Sequence, residues 1–219
     1  WGLQDTKIFE SEFYIIAIKT LVLAGITALI VTLLAYFLSF VARVSKSHWF
    51  SICIIKLSSL GYAIPGAAIG IGVMIMFIIL NNIFGFALLG NSLLVLIFAY
   101  MVRFLATAIY SLEGGYNKIH TQSDEASLFI NPSYKTLFLK IHTPLLKHFL
   151  WLSFIIVFID TIKELPLSRM LAPFGFETLG VKAFWYASDE RIYDAALPSL
   201  CIVVLSLLVI LWIQKLSKE

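Results

Sequence analysis

Five apolar runs, each about 20 residues long, constrain the fold of this chain more than any other feature. A helix needs about 20 mostly apolar residues to cross the hydrocarbon core of a bilayer. The 219-residue chain is 60% hydrophobic, above the roughly 45–50% of soluble domains. The sequence therefore predicts an all-α polytopic membrane protein. The predicted spans are Thr20–Val41 (entered from as early as Phe13), Leu57–Leu80, Asn91–Leu112, Lys147–Leu165 and Leu197–Ile213.

The distribution of basic residues between the spans predicts the orientation. Cytoplasmic connections carry an excess of Lys and Arg, and one side of this chain holds nine such residues against four on the other. We therefore expect the connection between the third and fourth spans and the C-terminus to be cytoplasmic, and the N-terminus to lie outside. The richer side holds Arg43, Lys46, Lys56, Lys118, Lys135, Lys140, Lys147, Lys215 and Lys218, and the other side holds Lys7, Arg169, Lys182 and Arg191.

Several classes of function find no support in the residues. The net charge is only +3 and the basic residues are scattered, so a nucleic-acid partner is not implied. Cys53 and Cys201 are far apart and form neither a metal motif nor a convincing disulfide pair. No GxxxxGK[ST] loop is present to bind the phosphates of ATP. The histidines fall near cytoplasmic ends without a paired nucleophile and are interpreted as interfacial, so we predict no catalytic residue, metal site or cofactor: His48, His120, His142 and His148.

The most polar internal segment, residues 121–144, lies between the third and fourth spans. Thr121 and Asp124 are three residues apart, a spacing that permits a capping box at a helix start. Asp124 and Glu125 then fall in the first turn, where the helix dipole favours carboxylates. We expect this short helix to end near Ile130.

A second helix is predicted to follow at once. Asn131 is a good N-cap residue, and Pro132 is tolerated at a first helical position. Asn also adopts the left-handed conformation more readily than most residues that have a side chain. Leu128, Phe129, Tyr134, Leu137 and Phe138 give the two helices an apolar side. The segment is therefore predicted to form two helices joined by a sharp turn; an amphipathic interfacial loop is the alternative.

The spacing within this segment resembles the EAA loop of bacterial ABC-importer permeases. That pattern reads E-A-A, three residues, G, nine residues, I, x, L, P, and every spacing matches here. Ser127, Asn131 and Thr143 replace the usual Ala, Gly and Leu. In the family, the first helix of the loop docks in a cleft of the ATP-hydrolysing subunit. The resemblance assigns coupling to the ATPase subunit to Glu125, Ala126, Ser127, Asn131, Ile141 and Pro144.

The resemblance extends over nearly the whole chain and favours the iron(III) branch. The supporting runs are GYAIPG at 61–66, YMVRFLA at 100–106, DTIKELP at 160–166 and PFGFETLGVKAFWYASDERIYDAALP at 173–198. The resemblance implies a type 1 ABC transmembrane domain over residues 14–213, similar to the C-terminal half of a two-half permease. Residues 1–13 would then be an outer-side lead-in from a preceding span, because the sequence starts at Trp1 with neither a Met nor a basic leader.

The resemblance also implies the surroundings of the protein. It predicts a multi-pass protein of the bacterial inner membrane whose partners are two copies of an ATP-binding subunit, a periplasmic solute-binding protein, a second permease half or homologous copy, and membrane lipid. ATP would be hydrolysed by the partner and not by this chain. Ferric iron is the implied substrate, while thiamine, an inorganic anion or a polyamine remain alternatives. A secondary transporter or channel, and then a membrane-embedded enzyme, are the rival classes.

Charged residues near the spans are candidates for a translocation pathway, because charges there are costly. Asp160, Lys163 and Glu164 are spaced to share one helix face. They form either an ion pair at the outer end of the helix or part of the pathway. The outer mouth is also predicted to include Pro65 and Gly66, where the proline should break the second span.

Arg103 lies inside the third predicted span. Its side chain either extends to the interface or meets a carboxylate within the bundle. We favour the second, which makes Arg103 a structural intramembrane charge.

Overall fold

The computed structural model describes residues 11–45, 48–85 and 92–216, and all regular structure in these ranges is helical. Five helical segments are long and apolar enough to cross a membrane, which confirms the predicted number of spans: Glu12–Val44, Gly66–Phe84, Leu93–Tyr116, Tyr134–Ile162 and Ile192–Leu211. The helices are α1 Ser11–Val44, α2 His48–Ala63, α3 Gly66–Phe84, α4 Leu93–Tyr116, α5 Thr121–Ile130, α6 Tyr134–Thr136, a π-helical segment Leu137–His142, α7 Thr143–Ile162, α8 Pro166–Leu171, α9 Leu179–Ser188 and α10 Ile192–Leu216.

The longest helix, α1, packs against α4 and α7 through a row of small side chains. Ala24, Ala28, Val31 and Ala35 recur at helical spacing and are fully buried. Small residues let membrane helices approach closely, which maximises van der Waals contact between them. The opposite face of α1 carries large aliphatic side chains that are exposed and suited to lipid: Ile18, Val22, Ile26, Leu29 and Leu33.

The second predicted span is two helices, which corrects its boundary. Helix α2 ends at Ala63 and α3 begins at Gly66, so the span starts at Gly66 and not at Leu57. Pro65 causes the break, as the sequence predicted, because it lacks an N–H and clashes with the preceding turn. Lys56, which was predicted to lie in a polar connection, is part of α2.

The fourth span begins at Tyr134, well before the predicted Lys147. Residues 134–142 are polar enough to resemble a loop, but they form α6 and the π-helical segment that lead directly into α7. The hydroxyls of Tyr36 and Thr143 both donate to the carbonyl of Phe138, each at 2.9 Å. The same carbonyl also accepts the backbone N–H of Thr143, five residues on, which is the hydrogen-bond spacing of a π-helix.

Helix α9 lies against the N-terminal part of α1. The hydroxyl of Thr20 accepts a hydrogen bond from the N–H of Leu179 at 3.0 Å, and Lys182 lies 3.5 Å from Glu12. The polar stretch between the fourth and fifth spans forms two short helices, α8 from Pro166 and α9 from Leu179. Most of the predicted lead-in, residues 1–10, lies outside the described residues, as do Lys46 and Lys218.

Candidate coupling loop and intramembrane charge pair

Helix α5 projects from the bundle as an exposed helix. None of its residues is buried, and Glu125 and Ala126 are exposed. Phe129 and Ile130, at its C-terminal end, are 92% and 85% exposed. Large apolar side chains that are this open to solvent favour contact with another protein. The helix extends from Thr121 to Ile130, which confirms the predicted bounds. Its outer face is exposed and available for a partner.

The side chain of Asp124 points back into the protein and joins three elements. Arg43, in the last turn of α1, donates from Nε to Asp124 Oδ2 at 2.6 Å. Arg43 also donates to the carbonyls of Tyr116 and Ile119, at 3.0 and 2.7 Å. Arg43 is therefore a partly buried member of a network at the end of α1 and not part of the polar connection predicted around it. Charge-assisted bonds of this length are the strong kind.

This network replaces the predicted capping box. The N-cap residue is His120, and its side chain makes no capping hydrogen bond. Asp124 lies in the first turn of the helix, and Glu125 lies beyond that turn. The carboxylate of Asp124 binds Arg43 and does not cap the N-terminus of α5. An ion pair with a guanidinium that is mostly shielded from water stabilises more than a bond to one exposed N–H.

His142 is fully buried, so its interpretation as an interfacial residue is wrong. Its Nε2 lies 3.0 Å from Asp124 Oδ1. An ionised carboxylate only accepts hydrogen bonds, so Nε2 carries the proton in this arrangement. The rings of Phe40 and Tyr116 contact the imidazole edge-on, each with centroids 5.4 Å away. Among the described residues, the other ring nitrogen, Nδ1, has no hydrogen-bond partner.

The turn after α5 differs from the one predicted. Ser133 is the N-cap of the next helix, and its hydroxyl accepts from the N–H of Thr136 at 3.4 Å. Asn131 and Pro132 precede it as exposed residues. Asn131 has φ −139° and ψ 103°, an extended conformation and not a left-handed one. The following proline disfavours helical geometry at this residue, so the position does not require glycine.

The remaining residues assigned to coupling lie where the loop rejoins the bundle. Ser127 is half-buried on α5. Ile141 is half-buried in the π-helical segment, and Pro144 is exposed in the first turn of α7. The six residues assigned by the resemblance therefore lie on one continuous path from α5 to the fourth span.

A second charged cluster lies where α4 meets the turn between α7 and α8. Arg103 Nε is 3.2 Å from Glu164 Oε2, so the intramembrane arginine has a carboxylate partner. The other oxygen of Glu164 accepts from the N–H of Leu167 at 3.3 Å, at the start of α8.

Gly66, which follows Pro65 in the chain, lies against this pair. A Cβ at Gly66 would overlap the Arg103 guanidinium and lie 3.2 Å from Glu164 Oε1. Glycine at this position therefore permits the close approach of α3 to α4 and α8. Beside them, the hydroxyls of Tyr100 and Ser168 are 2.5 Å apart. The structure thus brings together Gly66, Arg103 and Glu164, which are far apart in sequence.

Asp160 and Lys163 form a separate pair. Their charged atoms are 2.7 Å apart, and the Lys163 side chain is 60% exposed, so the pair contributes little stability. Glu164 does not share their helix face, because α7 ends at Ile162 and the chain turns toward Arg103. In the described residues no group of three or more His, Cys, Asp or Glu side chains could hold a metal ion, and Cys53 and Cys201 are both free.

Sequence reasoning missed the network beneath α5. Asp124 was assigned only to helix capping, Arg43 to a polar connection and His142 to the interface. A weak signal was available, because an arginine at the end of the first span and an aspartate beside Glu125 both fall on the predicted cytoplasmic side. Only the packing of α1 against the loop brings them together.

Comparison with known proteins gives three results. No family model matches the chain. The chain is 27% identical over 197 residues to the Fe(3+)-transport system permease protein FbpB 2 of Haemophilus influenzae, covering 89% of this chain and 37% of that protein. The chain therefore spans little more than a third of the length of this curated relative.

Two solved structures share the fold. One is a bacterial ABC transporter involved in the import of the acidic polysaccharide alginate, with a TM-score of 0.76 and 13% identity over 97% of this chain and 81% of that one. The other is the alginate transporter in complex with an alginate pentasaccharide-bound periplasmic protein, with a TM-score of 0.73, 13% identity, and 97% and 80% coverage.

The five spans and the fold define the class: the chain is a multi-pass membrane protein with the architecture of an ABC transporter permease. Within that class, its sequence resembles an iron(III) permease.

Proposed function

We propose that this chain is a transmembrane permease subunit of a binding-protein-dependent ABC importer in the bacterial inner membrane. The observation that carries the proposal is helix α5, which has no buried residue and presents Phe129 and Ile130 to solvent beside the five-span bundle. Such a surface suits the cleft of an ATP-binding subunit. The same subunit would hydrolyse ATP and drive alternating access in the permease.

The other proposed partners are those that the resemblance to ABC-importer permeases implies. A second permease half or homologous copy would complete the pathway, and two ATP-binding subunits would drive it. A periplasmic solute-binding protein would deliver the substrate to the end that carries α9. The transporter that resembles this chain was solved with such a periplasmic protein, which supports this partner.

Ferric iron is the proposed substrate, and its support is the resemblance to the Haemophilus permease. The alternatives are thiamine, an inorganic anion or a polyamine. A secondary transporter or channel is a less favoured class, because it offers no role for an exposed helix such as α5.

Reconstitution in proteoliposomes tests the proposal. The complete permease would be purified with its ATP-binding subunit and binding protein, and uptake of radiolabelled ferric iron would be measured with and without ATP. We expect uptake that requires ATP and both partners. Competition by thiamine, phosphate or spermidine would reassign the substrate within the class. Uptake without the ATP-binding subunit would instead identify a secondary transporter.

A further inference from the structure

The way in which α5 is attached to the bundle suggests a role for a residue outside the assigned coupling set. Helix α5 has no buried residue, and Leu128 is its one described apolar side chain that packs against the core. Its polar attachment is the carboxylate of Asp124, with one oxygen on Arg43 and the other on His142. A movement of α5 therefore acts on the bundle chiefly through this carboxylate.

The two partners of Asp124 belong to the first and fourth spans, and one of them, Arg43, also reaches the third span. Arg43 is in the last turn of α1 and also binds the carbonyls of Tyr116 and Ile119, at the end of α4 and just after it. His142 ends the π-helical segment that continues into α7. One side chain thus connects α5 to the first, third and fourth spans.

The surroundings leave room for this network to move. A cavity of about 180 Å³ lies beside it, lined by residues that include Ser39, Arg43, Glu113 and Tyr116. Among the described side chains, the hydroxyls of Ser39 and Tyr116 are buried without a hydrogen-bond partner. Close-packed interiors resist displacement, so free volume and unused hydroxyls here permit a second arrangement.

We infer that Asp124, held by Arg43 and His142, is the positioning residue that transmits movement of α5 to the spans. The inference rests on the proposed function. It divides the loop into two parts: the exposed face with Glu125, Phe129 and Ile130 binds the ATP-binding subunit, and Asp124 passes the movement on. The two parts are expected to fail in different ways when they are changed.

The experiment compares Asp124→Asn, Arg43→Gln and the double variant in the complete transporter. Asp124→Asn keeps the size of the side chain and removes the charge that Arg43 binds. Three quantities are measured: the yield of co-purifying ATP-binding subunit, ATP hydrolysis, and the change on nucleotide binding in the labelling rate of a cysteine placed at Glu177. Asp189→Asn, an exposed position at the end of α9, is the matched control.

In Asp124→Asn and Arg43→Gln we expect normal subunit yield and continued hydrolysis, with the nucleotide-dependent change in labelling reduced about fivefold or more. The double variant is expected to match the single variants, because both remove the same interaction. The control keeps the wild-type response.

A full labelling response in Asp124→Asn overturns the inference, as do single effects that add fully in the double variant. Loss of insertion in Asp124→Asn also overturns it, because Asp124 would then be a folding contact. Failure of the proposed function is recognised separately, since the wild-type chain itself would then bind no ATP-binding subunit and show no nucleotide response.

Discussion

Two adjacent carboxylates on α5 face different surroundings. Asp124 is partly buried on Arg43 and His142, whereas Glu125 is exposed. A helix turns by about 100° per residue, so consecutive side chains face different surroundings. The two residues therefore act on different neighbours, one within the chain and one outside it.

Glu125→Lys is expected to weaken binding of the ATP-binding subunit. Reversing a charge at a partly buried contact leaves the partner charge unpaired, which costs about 2–5 kcal/mol. The measurement is the amount of ATP-binding subunit that co-purifies with the inserted permease. Asp189→Lys makes the same charge change at the other end of the molecule and is expected to keep the full yield. Normal yield and normal transport from Glu125→Lys would remove this face of α5 from the interface.

At the scale of elements, the break between α2 and α3 is where several helices meet. Pro65 ends the hydrogen-bond ladder, and Gly66 then allows α3 to pass close to Arg103 on α4. Gly70, one turn later, faces Met170 and Leu167 on α8, with the nearest atom 3.1 Å from a Cβ built there. Gly66 and Gly70 thus permit close approach to two different neighbours, α4 and α8, in the manner of small-residue packing in membranes.

Gly66→Ala is expected to destabilise the protein by about 1–3 kcal/mol, because the added methyl group forces Arg103 away from Glu164. Gly72→Ala is the matched control in the same helix, since a Cβ there meets nothing within 4 Å. Thermal unfolding of both variants in detergent provides the measurement. Equal unfolding temperatures for the two variants would show that the contact at Gly66 tolerates a methyl group.

At the scale of the whole molecule, α1 connects the two ends of the bundle. In its N-terminal part, Thr20 accepts a hydrogen bond from Leu179, the first residue of α9. In its last turn, Arg43 binds Asp124 of α5. A 34-residue helix is about 51 Å long, enough to cross a bilayer with both ends in the headgroup regions. The α9 end and the α5 end therefore lie on opposite sides of the membrane.

Cysteine labelling tests which side is outside. In a background with Cys53 and Cys201 replaced by Ser, an impermeant reagent added to intact cells is expected to label Glu177→Cys and not Lys135→Cys. The reason is the excess of basic residues on the side of Lys135. The reverse pattern would invert the orientation and place α5 outside, where no ATP-binding subunit could reach it.

Length, hydropathy and motif spacing were enough to predict five spans, the helix from Thr121 to Ile130 and the break at Pro65. These are local properties, because bilayer thickness, helix ends and proline geometry act on consecutive residues. The faces of the spans were not predictable in the same way. In α1 both faces are apolar, and only the packed bundle shows that Ala28 and Ala35 are buried while Leu29 and Leu33 are exposed.

The tertiary structure decided the pairing of charges. Arg43 and Asp124 are separated by 81 residues, and Arg103 and Glu164 by 61. A charge near a membrane span needs a partner, but sequence spacing identifies one only within a single helix, as for Asp160 and Lys163. For the longer separations, the partner is whichever residue the packing of the helices places within reach.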